Sequence, residues 1–165
     1  MKKLFIVALI PIFFYSCSTV NSMDAFYNKY EKQSTVIAVP KIALTTLSKL
    51  SGNADFVTYL KSAKFMILTN SSNSKTNRVI KDLKSSVRGD HYSLPVKLTK
   101  GNKNLNVAML EDKDRVKSVV LGVSGFNNVL VVQSKVDVSK ETLNEAINKI
   151  DEDFIDDIID LLSLK

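Results

Sequence analysis

The chain has 165 residues, 45% apolar and 24% charged, with a net charge of +6, one cysteine and one histidine. Length and balance together describe a folded domain with a sizeable core, not a disordered chain. One cysteine excludes a disulfide framework, and one histidine beside it nearly excludes zinc.

The chain opens with Lys2 and Lys3, then an apolar run from Leu4 to Phe14 broken only by Pro11, then Tyr15 and Ser16 leading to Cys17, the only cysteine. Charge, short apolar core and small residue in that order form a secretory signal pattern. Its eleven apolar-run residues fall short of the roughly twenty that a membrane-spanning helix needs. A lone cysteine at the end of such a signal resembles the lipobox of bacterial lipoproteins. The resemblance implies cleavage after Ser16, a diacylglyceryl group on the Cys17 thiol, and attachment to a membrane through acyl chains. Ser18, a non-Asp residue after that cysteine, then implies an outer-membrane address in preference to the inner membrane. Cleavage by ordinary signal peptidase, leaving a free exported protein, is the competing reading. The expected divisions are a signal over 1–16, a lipidated polar tether over 17–23, one α+β domain over 24–150 and an acidic amphipathic helical extension over 151–165.

Within the domain, Phe26, Tyr27 and Tyr30 are spaced to share one helix face. Thr35 to Val39 is a β-branched run and reads as a first strand. Pro40 is placed to open a helix bearing Ile42, Ala43, Leu47 and Leu50 and ending near Gly52. Asn53 can cap a second short helix with Phe56, Val57 and Leu60. The run from Lys64 to Thr69, centred on Phe65-Met66-Ile67-Leu68, reads as a buried strand. A polar loop over Asn70 to Asn73 leads to a helix with Val79, Ile80, Leu83 and Val87 on one face. Lys75, Arg78, Lys81, Lys84 and Arg88 lie largely elsewhere on it, and Gly89 ends it.

Tyr92, Leu94, Val96 and Leu98 alternate with polar residues or proline, the pattern of a half-buried strand, and Pro95 assigns that strand to a sheet edge. Short turns at Gly101-Asn102, Asp112 to Asp114 and Ser124 to Asn128 connect it to Leu105–Leu110, Val116–Val123 and Val129–Val138. Connections this short join antiparallel neighbours, so the second half reads as a four-stranded meander. The fold class is therefore α+β: an antiparallel sheet with helices packed mainly on one face and a C-terminal helix.

Ser139 can cap that last helix, whose stripe runs through Leu143, Ala146, Ile147, Ile150, Phe154, Ile158, Leu161 and Leu162. Packing against the sheet explains the stripe. Ile155 and Ile159 widen it beyond one packed face, so Phe154, Ile155, Ile158, Ile159 and Leu162 are candidates for docking a partner protein. The nearby acids Asp151, Glu152, Asp153, Asp156 and Asp157 lack the glycine and alternating ligands of a calcium loop, and no cofactor or metal site is expected. Asp90-His91 is the one place where a catalytic base or small-ligand pocket could be sought, with Ser85, Ser86 and Ser93 near in sequence. A Gly-Asp-His run between a helix end and a strand is also ordinary loop chemistry. No enzymatic activity is expected.

Charge is unevenly placed. Residues 17–138 carry eighteen Lys/Arg against nine Asp/Glu, whereas residues 139–165 carry three against eight. A basic body suggests an anionic partner; export favours lipid headgroups, or simply a soluble surface, over nucleic acid, and a solvated face explains the basic side of the Val79–Val87 helix.

The order of elements resembles the DUF4252 family of small bacterial envelope proteins of lipoprotein type. The likeness rests on the signal with its cysteine, Val36-Ile37-Ala38-Val39-Pro40-Lys41 entering a helix, Phe65-Met66-Ile67-Leu68 before a basic helix, Tyr92, Val119-Val120-Leu121-Gly122-Val123, Leu130-Val131-Val132-Gln133 and Val136-Asp137-Val138. It covers about residues 24 to 150. It implies an envelope location and supplies no functional residues, because the family has no established activity.

Overall fold

The computed structural model describes residues 20–43, 59–125, 127–148 and 156. Helix α1 (Met23–Tyr30) continues through a 3₁₀ turn (Glu31–Gln33) into β1 (Thr35–Pro40). Then come β2 (Leu60–Leu68), α2 (Asn73–Gly89), β3 (Ser93–Lys100), β4 (Lys103–Asp112), β5 (Arg115–Ser124), β6 (Val129–Ser139) and α3 (Lys140–Ile147). The six strands form one sheet in the order β1-β2-β6-β5-β4-β3, with every neighbour antiparallel. The α+β class and the meander β3–β6 are as the sequence pattern predicts, and so is the edge position of β3. The helix expected from Pro40 begins, with residues 41–43 helical, but Leu47, Leu50, Gly52, Asn53, Phe56 and Val57 lie outside the described residues. Leu60, expected at the end of a short helix, instead opens β2. That strand starts four residues before the expected Lys64, since Ser62, Ala63 and Lys64 pair in register with Lys135, Ser134 and Gln133 of β6 and a bulge between Leu60 and Ser62 carries the pairing on to Val136.

The sheet is apolar on both faces. Leu105 to Met109 of β4 are all buried, so alternate side chains enter different cores. One core joins Met66, Leu68, Ala108, Val120, Val129 and Val131 to α1 and α2. The other joins Leu105, Val107, Met109, Val116, Val123 and Leu130 to Leu143 and Ile147 of α3. Two helices thus cover one face, and α3 lies against the other. Ser139 caps α3 as its position suggests, accepting from the Thr142 amide at 3.1 Å.

Strand β3 departs from simple alternation. Ser93 faces Met109 and Val96 faces Val107, so β3 spends one extra residue across Pro95. The bulge reverses the parity of side chains. Tyr92 therefore belongs to the α1/α2 core while Val96 and Leu98 pack with the opposite one, and Leu94 stays 38% exposed. The Tyr92 hydroxyl donates to Ser118 Oγ at 2.9 Å and accepts from Gln133 Nε2 at 3.3 Å, so its buried polar end is satisfied.

Helix α2 approaches β5 closely at Gly122. A Cβ there would sit 2.7 Å from Leu83 Cδ2. Gly122→Ala should therefore destabilise the domain by about 1–3 kcal/mol through overpacking, and Leu83→Ala by about 2–5 kcal/mol through a cavity. The double variant should cost clearly less than the sum, because the deleted leucine makes room for the methyl. Urea unfolding of the four proteins checks this; strict additivity would refute the contact.

Candidate functional site

The most informative surface lies where the N-terminal segment meets the end of α2. Val20 and Met23, expected in a polar tether, are 6% and 2% exposed and belong to the core of α1 and α2. Val20 to Met23, part of the stretch expected as a tether, thus belong to the folded body, and residues 17–19 lie outside the described residues. Two features fix this segment. Gly89 leaves room for the backbone of Asn21, whose carbonyl a Cβ would overlap. The amide of Met23, at the first turn of α1, donates to Asp90 Oδ2 at 2.7 Å, while Ser22 Oγ accepts from Ala25 N at 3.1 Å. Asp90 is thus a second cap on α1, placed across 67 residues of chain.

His91 has an equally structural position. Its φ is +63°, its amide donates to the Arg88 carbonyl at 3.0 Å, and the Tyr92 amide donates to the Val87 carbonyl at 2.8 Å. That pair of bonds is a Schellman closure, with His91 in the left-handed position usually given to glycine. The helix does stop at Gly89, but Gly89 serves the close approach of Asn21 and His91 makes the turn. The side chain of His91 is exposed. Ser86 Oγ donates to the Asp82 carbonyl, Ser93 Oγ lies with Met109 O and Glu111 Oε1, and Ser85 is exposed. The structure does not assemble the suggested base and hydroxyls into one constellation.

Next to this end runs the outer face of α2. Asp82, its only acid, points toward α1, where its Oδ2 accepts from Lys29 Nζ at 2.6 Å and Tyr30 OH at 2.7 Å. Burial alone would raise the Asp82 pKa, but those donors outweigh it and hold the carboxyl below the usual carboxylate range. Burial, with the hydrogen bond to Asp82, raises the Tyr30 phenol well above its ordinary value. Tyr27 is likewise raised by burial, and Lys64 Nζ sits 3.7 Å from its ring centroid, a cation–π contact that ties α1 to β2. Beyond Asp82, a shallow cleft between α1 and the start of α2 is lined by Lys29, Tyr30, Gln33, Ser72, Ser74, Lys75 and Arg78.

Asp156 is the one described residue of the acidic extension. It accepts from Lys100 Nζ at 2.9 Å and Lys103 Nζ at 2.5 Å, and these bonds bring its pKa down to about 2. It is thus engaged with the β3–β4 turn. Phe154, Ile155, Ile158, Ile159 and Leu162, and Cys17 itself, lie outside the described residues. Among the described residues no three His, Cys, Asp or Glu side chains are grouped as a metal ion would need, and no helix is long and apolar enough to cross a membrane. No protein-family model matches the chain, and no curated protein matches it either.

Two outcomes follow from this geometry. His91→Gly removes left-handed strain of about 1–2 kcal/mol and returns part of it as unfolded-state entropy. The net should be a gain of about 0.5–1 kcal/mol, seen as a melting temperature higher by about 1–4 °C; an unchanged or lower value would contradict the assigned turn. Because the Asp82 pKa is lowered on folding, its contribution is complete above the unfolded value near 4 and is lost as pH falls through the lower folded value. Asp82→Asn should cost about 0.5–1 kcal/mol at pH 7, as expected for a solvent-screened pair, and less at pH 3. Urea midpoints at both pH values read this difference, and an equal loss at both would refute it.

Proposed function

We propose that this chain is a lipid-anchored protein of the bacterial cell envelope that works through binding or structural contact and not through catalysis. The observation that carries this reading is the run Lys2-Lys3, Leu4–Phe14, Ser16-Cys17, in which the only cysteine stands where a lipobox places the acylated residue. Two or three acyl chains on Cys17 hold a protein on a membrane durably, since each buried CH₂ contributes about 0.8 kcal/mol. Ser18 gives the outer membrane as the address. The order of elements that resembles the DUF4252 family agrees with an envelope role. Asp90 and His91 serve as a helix cap and a helix stop, respectively, which leaves the catalytic alternative without a supporting arrangement. An envelope protein docking on Phe154, Ile155, Ile158, Ile159 and Leu162 is the partner this reading includes.

Intact mass on protein purified from the membrane fraction tests the proposal. Wild type should show residues 17–165 plus acyl chains, and Cys17→Ala should lack the acyl mass and leave the membrane fraction. An unmodified chain, released equally by both proteins, would overturn it.

A further inference from the structure

The outer face of α2 carries a cationic stripe that no ion pair among the described residues joins. Arg78, Lys81, Ser85 and Arg88 follow one another at spacings of three, four and three, so they line one side of the helix. All four are exposed, whereas Val79, Leu83, Ser86 and Val87 are buried on the other side. Asp82 is turned toward Lys29 and Tyr30, and among the described residues no ion pair reaches Arg78, Lys81 or Arg88. An exposed helix face bearing only cations and hydroxyls suits an anionic surface.

Where the chain would meet its membrane selects this face over others. Asn21 is packed on Gly89, so the N-terminal segment enters beside the last turn of α2. From Cys17 to Val20 the backbone reaches about 11 Å at most, close to the Debye length of about 10 Å at 0.1 M salt. An anchor that short keeps α2 within electrostatic range of the headgroups. Two parts of the body lie near this entry, the α2 face and the end of the sheet holding the β4–β5 turn. At the sheet end the cations are interleaved with acids, Asp112 and Asp114 flanking Lys113 in the turn. Lys61, Arg115 and Lys117 converge on Asp137, and Lys140 pairs with Glu111. The α2 face retains its charge.

We propose that the stripe Arg78–Lys81–Ser85–Arg88 lies on the anionic headgroups of the membrane that holds acylated Cys17. The inference rests on the lipoprotein reading, and it sets the orientation of the body: α2 lies flat on the lipid, and the sheet with its second face points away. Each cation near an anionic surface strengthens attachment about fivefold, so three acting together fix the orientation even though the acyl chains supply the anchoring.

The test uses mature protein reconstituted in vesicles of phosphatidylcholine with or without phosphatidylglycerol. With Cys17 acylated, Ser85→Cys on the stripe or Lys113→Cys in the β4–β5 turn supplies a single thiol for an environment-sensitive dye, and a headgroup-linked quencher reports proximity. In anionic vesicles the Ser85 position should be quenched severalfold more than the Lys113 position. The difference should collapse in neutral vesicles, in 1 M salt, and in Arg78→Glu/Lys81→Glu/Arg88→Glu. Equal quenching, stronger quenching at Lys113, or indifference to lipid charge would overturn the orientation. The mass of the same preparation separates the two failures. If Cys17 carries no acyl chains, the anchor reading falls. The free chain labelled at Ser85→Cys, with Cys17→Ala, then tests the stripe alone: salt-sensitive quenching on anionic vesicles sustains it and no quenching ends it.

Discussion

Five consecutive buried residues in β4, Leu105 to Met109, impose the main constraint on this molecule. A strand of an antiparallel sheet usually offers one face to water; this one offers neither, and its neighbour β5, with β6 beyond it, also feeds both cores. Covering must therefore come from both sides. On one side α1 and α2 supply it, led by the fully buried Phe26, Val79 and Val87. On the other, α3 brings Leu143 and Ile147, and Asp156 reaches back to Lys100 and Lys103 at the β3–β4 turn. Lys140 bonds Glu111 at one end of β4 and Asp156 bonds Lys103 at the other, so the chain after β6 is held at both ends of that strand.

The same need for cover explains the N-terminal segment. Burying a large apolar side chain contributes about 1.5–3 kcal/mol, and Val20, Met23 and Phe26 each add to the core over β2, β5 and β6. The amides at the start of α1 could have been left to water. Asp90 and Ser22 take two of them, which couples the first helix to the end of α2. Position and chemistry then reinforce each other: the residues that finish the core also fix where the preceding chain must leave.

Much of this architecture was legible because apolar period is a local signal. The stripe Phe26, Tyr27, Tyr30, the stripe Val79, Leu83, Val87, the edge proline Pro95 and the meander turns could be read directly, and the structure contains them. What stayed hidden was non-local or depended on parity. One extra residue across Pro95 sends Tyr92 and Leu98 to opposite cores, and alternation in the sequence looks the same with or without it. Val20 stands between polar neighbours and gives no periodic signal. Asp90 invited a catalytic reading because its partner, the Met23 amide, is 67 residues away. Gly-Asp-His was open to reading as a helix stop, but only backbone geometry shows that His91 takes the left-handed turn while Gly89 admits Asn21.

Electrostatics separate structure from candidate function more cleanly than composition does. The body is basic overall, yet most of its exposed cations with described partners serve local pairs: Lys29 with Asp82, Arg115 and Lys117 with Asp137, Lys140 with Glu111. Such exposed pairs each add little to stability, but they remove charge from the far field. Among the described residues Arg78, Lys81 and Arg88 are in no ion pair and follow one another along one helix side, so their positive charge adds up there. Asp82 is decisive here. Turned outward it would offset one of these three cations; turned inward, held by Lys29 and Tyr30, it steadies the α1–α2 contact and leaves the outer face predominantly cationic. One carboxylate thus links the packing of the first helix to the charge of the surface beside the expected anchor.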